Sequence, residues 1–311
     1  MTLQIQRRRS ATVPPSGTGR GDLGLPKRRR GESRPLPVVI GMVIIVVLTI
    51  YILFPIYWTI VASTKATNQL ASTNGAWFSL PLHLLGNLQS LFSANGGIFV
   101  RWMLNSVLYA GVGGLACTLI SGAAGYALAR LRFRGSGVAS GAILLGAMLP
   151  ETVMAFPQFL VLTRLGLVNT YWAILLPSLI SPFAVFLARM FAIQSIPMEL
   201  IEAARMDRAG EFRIATTIGG TLMAPGLVAI LLIQIVAIWN NFFLPLLVLN
   251  SANKLPATVG LYLWNGKITQ NPEYQTLVLV GSLVSAIPLM VLFLVLQRYW
   301  RSGLATGAVK G

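Results

Sequence analysis

The apolar residues of this chain neither alternate at the two-residue period of a strand nor gather into one helical stripe. They run almost uninterrupted for twenty residues or more and then give way to short polar stretches. Six runs stand out: Leu36 to Val61, Trp102 to Ala129, Val138 to Leu162, Tyr171 to Ile193, Leu222 to Leu249 and Thr276 to Leu296. Each is long enough to cross the hydrocarbon core of a bilayer, which takes about 20 apolar residues in a helix. A spanning segment must satisfy its backbone polar groups internally, so the pattern predicts an all-α integral membrane protein with six transmembrane helices. An even number of spans puts both chain ends on the same side.

The polar segments divide the chain further. Residues 1–35 are rich in Arg, Gly, Pro and Ser without apolar periodicity, which predicts disorder. The transmembrane part then covers 36–298, and 299–311 form a tail. Residues 63–100 are expected to form a loop closed by the turn-formers Asn95, Gly96 and Gly97. Prolines 150, 157, 177, 182, 225, 245 and 288 punctuate the later spans and predict kinks. Small residues are closely spaced at Gly111, Gly113, Gly114, Gly122 and Gly125, and again at Gly137 and Gly141; these predict close helix packing inside the bundle.

Composition agrees with the pattern: 55% of the 311 residues are hydrophobic, 10% are charged, and the mean hydropathy is +0.72. The net charge of +16 raises the possibility of nucleic-acid binding, but its distribution points to topology instead. Nineteen of the 24 Lys and Arg residues fall at the chain ends or in loops on one side, and five (Lys65, Arg101, Arg164, Lys254 and Lys267) on the other. The positive-inside rule makes the first side cytoplasmic, together with both termini. No aromatics interleave with the basic runs, which argues against nucleic acid. The basic start is too long for a signal peptide and its apolar run exceeds the usual length.

Little chemistry is available to this chain on its own. His83 is the single histidine and lies in a loop, and Cys117 is the single cysteine, at mid-span, so no metal cluster and no disulfide is expected. Gly266-Lys267 lacks the flanking residues of a phosphate-binding loop, and no catalytic triad can be assembled, so no cofactor is expected on this chain. Glu151 is the only acidic residue inside a predicted span, where charge costs about 2.5–3.5 kcal/mol. It is a candidate for a translocation path; a place near an interface, with its charge reaching water, is the competing account. Gln158, Gln234, Trp239, Asn240 and Asn241 are further candidates, because amides beside aromatic rings match the hydroxyls and C–H faces of a sugar; plain interhelical hydrogen bonding is the competing account.

The most informative polar segment is 195–221. Pro197 suits a helix start, Glu199 and Glu202 place negative charge near its positive end, Glu202 can pair with Arg205 three residues on, and Gly210 is placed to stop the helix. Ala203 and Ala204 keep one side thin enough for close approach by a partner protein; a solvated loop that touches nothing is the competing account.

The order Glu202-Ala203-Ala204, then Asp207 and Ala209, Ile218 and Pro225 resembles the coupling-loop signature of ATP-binding-cassette importer permeases. The chain departs from it at Arg208, where glycine is usual, and at Gly220-Thr221, where Leu-Pro is usual. Asn105-Ser106, Tyr126 through Arg130, Leu165-Gly166-Leu167, Asn169 through Ala173, Trp239-Asn240 and the tail from Gln297 are similar to the carbohydrate-uptake branch, in particular to the second permease subunit of maltose-type systems. That resemblance implies the type I importer permease fold in a bacterial inner membrane. It implies a second homologous permease, two cytoplasmic ATP-binding subunits carrying ATP and Mg, and an extracytoplasmic solute-binding protein. It also implies a sugar or related polyol derivative as cargo, and ATPase contacts from 199–210 and from Lys310 and Gly311. An ion-coupled secondary transporter or channel is the alternative, disfavoured by the scarcity of intramembrane charge and of internal repeats.

Overall fold

The computed structural model describes residues 35–131 and 133–305; the expected N-terminal disorder and the Lys310 and Gly311 contacts lie outside these. The chain divides into two compact units at Leu53 and Phe54. Helix α1 (Pro35–Ser63) crosses that boundary, and the first unit is its leading part, apolar all round with every large side chain from Val38 to Leu53 exposed, as lipid-facing residues are.

The second unit is all helical among the described residues: α2 (Thr67–Ser72), α3 (Leu84–Arg130), α4 (Ser136–Ala147), α5 (Glu151–Arg164), α6 (Trp172–Ser178), α7 (Pro182–Ser195), α8 (Met198–Met206), α9 (Glu211–Arg213), α10 (Gly220–Trp239), α11 (Phe243–Val248), α12 (Ala257–Asn265) and α13 (Glu273–Ala305). Five helical runs are long and apolar enough to cross a membrane, and the α4–α5 pair supplies a sixth crossing if it is counted as one span.

Several predicted boundaries move. The expected 63–100 loop is mostly helix, because Leu84, Leu88, Leu91 and Phe92 already follow a helical spacing. The break comes at Asn95, Gly96 and Gly97, which take φ of 49°, 71° and 76°. His83 sits directly before α3, its N–H donating to the Thr64 carbonyl at 2.8 Å. The third span is not continuous: α4 and α5 meet at 104°. Pro150 has no N–H to donate and disfavours helical backbone at Leu149, so the chain turns there. A second break separates α6 from α7, where Ser181 Oγ accepts from Ala184 N at 3.2 Å and Pro182 occupies the first turn of α7. The helical run that carries the fifth span starts at Glu211, eleven residues ahead of the expected apolar start at Leu222, passes through one π-helical stretch at Ile214–Gly219, and stops at Trp239, ten residues short of the expected Leu249. The last helix continues to Ala305, well past Leu296.

Glycine spacing has two different structural meanings. On α3, Gly113, Gly114, Gly122 and Gly125 let α6, α7 and α10 approach; a Cβ on Gly125 would lie 2.6 Å from Arg189 N. Gly111, Gly137 and Gly141 face open space within this chain, so the expectation of internal packing fails for them. Buried side chains form two clusters. One surrounds Trp102, Tyr109, Val259 and Trp264, and the other surrounds Tyr126, Ala188, Ile201, Ile214 and Ile230. From Trp102 to Tyr126 along α3 is about 36 Å at the helical rise per residue, so the clusters mark opposite ends of the unit.

Candidate functional site

At the Tyr126 end, α8 lies on the bundle as a short amphipathic helix. Pro197 precedes it with φ −63° and ψ 142°, extended backbone that proline holds at no cost, and helix begins at Met198. Met198, Ile201 and Ala204, three residues apart, face inward: Ile201 is fully buried among Ile196, Ile214, Ala188 and Ala192, with Ala204 packed on the same cluster. Glu199, Glu202, Ala203 and Met206 point away and are exposed. The alanine pair is therefore split, Ala204 serving this chain's own core and Ala203 lying open on the outer face. Met206 and Phe212 are 85% and 83% exposed, two apolar knobs flanking the loop that the sequence analysis passed over. Exposed large apolar side chains in an otherwise charged loop were the available signal.

The end of α8 corrects two expectations. Arg208 N–H donates to the Arg205 carbonyl and Ala209 N–H to the Ala204 carbonyl, each at 3.0 Å. Arg208 itself takes φ 58°. This is the Schellman arrangement, with Ala209 and Ala204 making its apolar contact on the core. Arg208 thus holds the left-handed position that stops the helix, and Gly210, at φ −69° and ψ 150°, instead precedes α9. The anticipated Glu202–Arg205 pair gives way to Arg205 with Glu211, the single ion pair among the described residues. The hydrogen bond from Arg205 holds the Glu211 carboxyl below the usual glutamate range, and the same bond raises Arg205. Asp207 is exposed at the end of the helix, its N–H bonded to the Ala203 carbonyl. Past the loop, Gly220-Thr221 continues helix where Leu-Pro was usual, and Gly219 lies against the Tyr126 ring.

The substrate-path candidates separate. Gln234 is buried and accepts from Cys117 Sγ at 3.6 Å, an interhelical contact. Trp239 is 5% exposed, so its faces are taken by the chain's own packing and cannot stack on a cargo. Asn240 is exposed and ends α10, its side chain donating to the Val236 carbonyl at 3.0 Å. Asn241 lies in the break that follows, its carbonyl accepting from Thr258 Oγ1 at 3.4 Å. The aromatic partner at that break is Phe242, edge-on to the exposed Tyr262 with centroids 4.8 Å apart. Glu151 opens α5 directly after the α4–α5 bend with its side chain exposed, and half-buried Gln158 follows two turns later.

At the opposite, Trp102 end of the unit, residues 250–256 are fastened in place. Trp102 Nε1 donates to the Ala252 carbonyl at 2.8 Å, Asn105 Nδ2 to the Asn253 and Leu255 carbonyls at 2.9 and 3.0 Å, and Tyr109 Oη to the Lys254 carbonyl at 2.8 Å. Asn169, at φ 59°, accepts from the Asn250 and Ser251 N–H groups and donates to Ser251 Oγ at 2.8 Å. Positions 102, 105 and 109 share one helical face, so their spacing carried this signal.

Comparison with known proteins agrees with this architecture. Similar proteins include the arabinooligosaccharides transport system permease protein AraQ of Halalkalibacterium halodurans, 34% identical over 83% of this chain and 91% of that protein, and the lactose transport system permease protein LacG of Rhizobium radiobacter, 30% identical over 89% and 98%. A crystal structure of a bacterial ABC transporter involved in import of the acidic polysaccharide alginate contains a chain of the same fold, with a TM-score of 0.75 at 22% identity, covering 86% of this chain and 98% of that one. Residues 119–305, which hold α8 and the loop after it, match the family described as binding-protein-dependent transport system inner membrane component, and the chain belongs to that family of transport permeases.

Proposed function

We propose that this chain is one permease half of an ATP-binding-cassette importer in a bacterial inner membrane, carrying a sugar or related polyol derivative. The observation that carries the reading is the two-sided α8, whose inner face Met198, Ile201 and Ala204 sits on the transmembrane core while Glu199, Glu202, Ala203 and Met206 face outward. A push on the outer face is delivered to α3, α7 and α10 through Ile201. In this reading α8 and both termini are cytoplasmic, which the distribution of basic residues supports. Two partner subunits bind ATP and Mg and receive the helix, with Glu199, Glu202, Arg205 and Asp207 setting its register. Gly210 leads the chain back toward α10. A second permease completes the path, and a solute-binding protein delivers cargo to the opposite face.

The names of the relatives, arabinooligosaccharide and lactose permeases, support a carbohydrate. Asn240, Asn241 and Tyr262 are the groups at the α10 break best suited to meet it, amides for hydroxyls and an exposed ring for a C–H face.

The test is transport and substrate-stimulated ATPase activity of the complete reconstituted complex carrying Ala203→Trp, with Ile201→Ala as a second variant. Ala203→Trp should abolish both activities with the melting temperature of the chain unchanged, because the new ring meets only a partner. Ile201→Ala should lower thermal stability by about 2–5 kcal/mol through the cavity it leaves. Full coupling in the Ala203→Trp complex would refute the assignment.

A further inference from the structure

Between α4, α7 and the last turns of α3 lies a cavity of about 160 Å³ with apolar walls from Leu128, Ile143, Leu144, Val185 and Phe186. One charged side chain, Arg189, reaches it. Arg189 Nε is buried and has no hydrogen-bond partner, and no carboxylate pairs with Arg189 among the described residues. A buried guanidinium donor without an acceptor is costly, so an acceptor from outside the chain is called for. Further positive charge flanks the site. Arg130 spends one nitrogen on the Ala192 and Ile193 carbonyls and leaves its own Nε unpartnered, and Arg134 follows in the adjoining turn.

Depth narrows the chemistry. Arg189 lies six residues before the end of α7 and Leu128 two before the end of α3, within about 9 Å of the helix ends. Charge therefore sits where a bilayer changes from hydrocarbon to head groups, while Ile143 and Leu144 extend the apolar wall inward along α4. A helix is about 10 Å across, far broader than a single file of methylenes, so this small apolar space suits a stretch of one acyl chain rather than another protein element.

From this combination we infer that the α3–α4–α7 cavity seats one anionic phospholipid, its phosphate on Arg189 and an acyl chain in the groove. Basic pockets between transmembrane helices are suited to such head groups. Open space at Gly141 leaves the groove unobstructed from the α4 side.

The experiment is native mass spectrometry of the purified full-length chain in neutral detergent, titrated with phosphatidylglycerol or with phosphatidylcholine of identical acyl chains. One phosphatidylglycerol should be retained at least ten-fold more strongly than phosphatidylcholine. Arg189→Gln should lose that preference ten-fold and Arg189→Lys should keep part of it. Gly141→Leu fills the groove without touching the charge and should also release the lipid, which keeps the test valid if Arg189→Gln fails to fold. Wild-type retention in both Arg189→Gln and Gly141→Leu would overturn the proposal. So would displacement of the lipid by millimolar inorganic phosphate, which would make this a free-anion site. A lipid-free complex in which Ser140→Cys crosslinks to a second permease would give the cavity to a protein partner and overturn it equally.

Discussion

Arg205 Nε donates to Glu211 Oε1 across 2.6 Å, joining the last turn of α8 to the first residue of α9 and closing the four-residue connection between the two helices. The hydrogen bond, reinforced by the guanidinium charge, lowers the Glu211 pKa, so the unfolded chain binds more protons than the folded one as acid is added. The pair's contribution is therefore complete above the ordinary glutamate value of about 4.3 and is lost as pH falls through the lower folded-state value. Arg205 is shifted upward and stays charged throughout. The melting-temperature difference between the parent chain and Glu211→Gln should be constant from pH 7 to 5 and shrink toward zero below pH 4. A difference independent of pH would mean that the pair contributes nothing.

The left-handed backbone of Arg208 makes a second prediction. A side chain with a Cβ pays for φ 58° and glycine does not, so Arg208→Gly should stabilise the chain by about 1 kcal/mol. Gly210→Ala should be neutral, because φ there is −69° and no atom lies within 4 Å of the added carbon. Thermal melting of the solubilised chain measures both. A large loss from Gly210→Ala would restore that glycine as the helix stop.

The two glycine environments predict opposite responses to one added methyl. Gly125→Ala would place its Cβ 2.6 Å from Arg189 N and 2.7 Å from Ala188 C, backbone atoms that cannot step aside, and should destabilise by about 1–3 kcal/mol. Gly137→Ala meets nothing and should gain up to about 1 kcal/mol from helix propensity. Denaturant melts of both variants distinguish packing glycines from open ones.

These positions also show what the amino-acid order could and could not reveal. Apolar length sufficed for where most of the spans lie, because burial in lipid depends on composition more than on partners. The Glu202-Ala203-Ala204 segment was legible as a helix from its proline and its charges. Which alanine faces inward was not, since that depends on where Ile201 finds its pocket among α3, α7 and α10. Arg205 had carboxylates three residues before and six residues after, and the turn at Arg208 decided between them. Trp239 was read as a binding surface from its neighbours in the chain, but tertiary packing buried it. Breaks at Pro150 and at Asn240 shortened two runs that hydropathy alone joins.

Asn105 offers the last prediction. Its side chain is 4% exposed and both Nδ2 hydrogens are used, on the Asn253 and Leu255 carbonyls, so it holds residues 250–256 against α3 from within the bundle. Asn105→Leu keeps the volume but leaves two carbonyls without donors, a loss of about 1–3 kcal/mol. Because Trp102 and Tyr109 still grip the Ala252 and Lys254 carbonyls, the segment should loosen rather than detach. Amide exchange in 251–256 should accelerate while α10 keeps its protection. Under the proposed function this segment, at the end of the unit away from α8, is on the side where cargo is handed over, so the same variant should weaken stimulation of the ATPase by loaded binding protein and spare basal hydrolysis. Unchanged exchange in 251–256 would show that Trp102, Tyr109 and Asn169 fix the segment without Asn105.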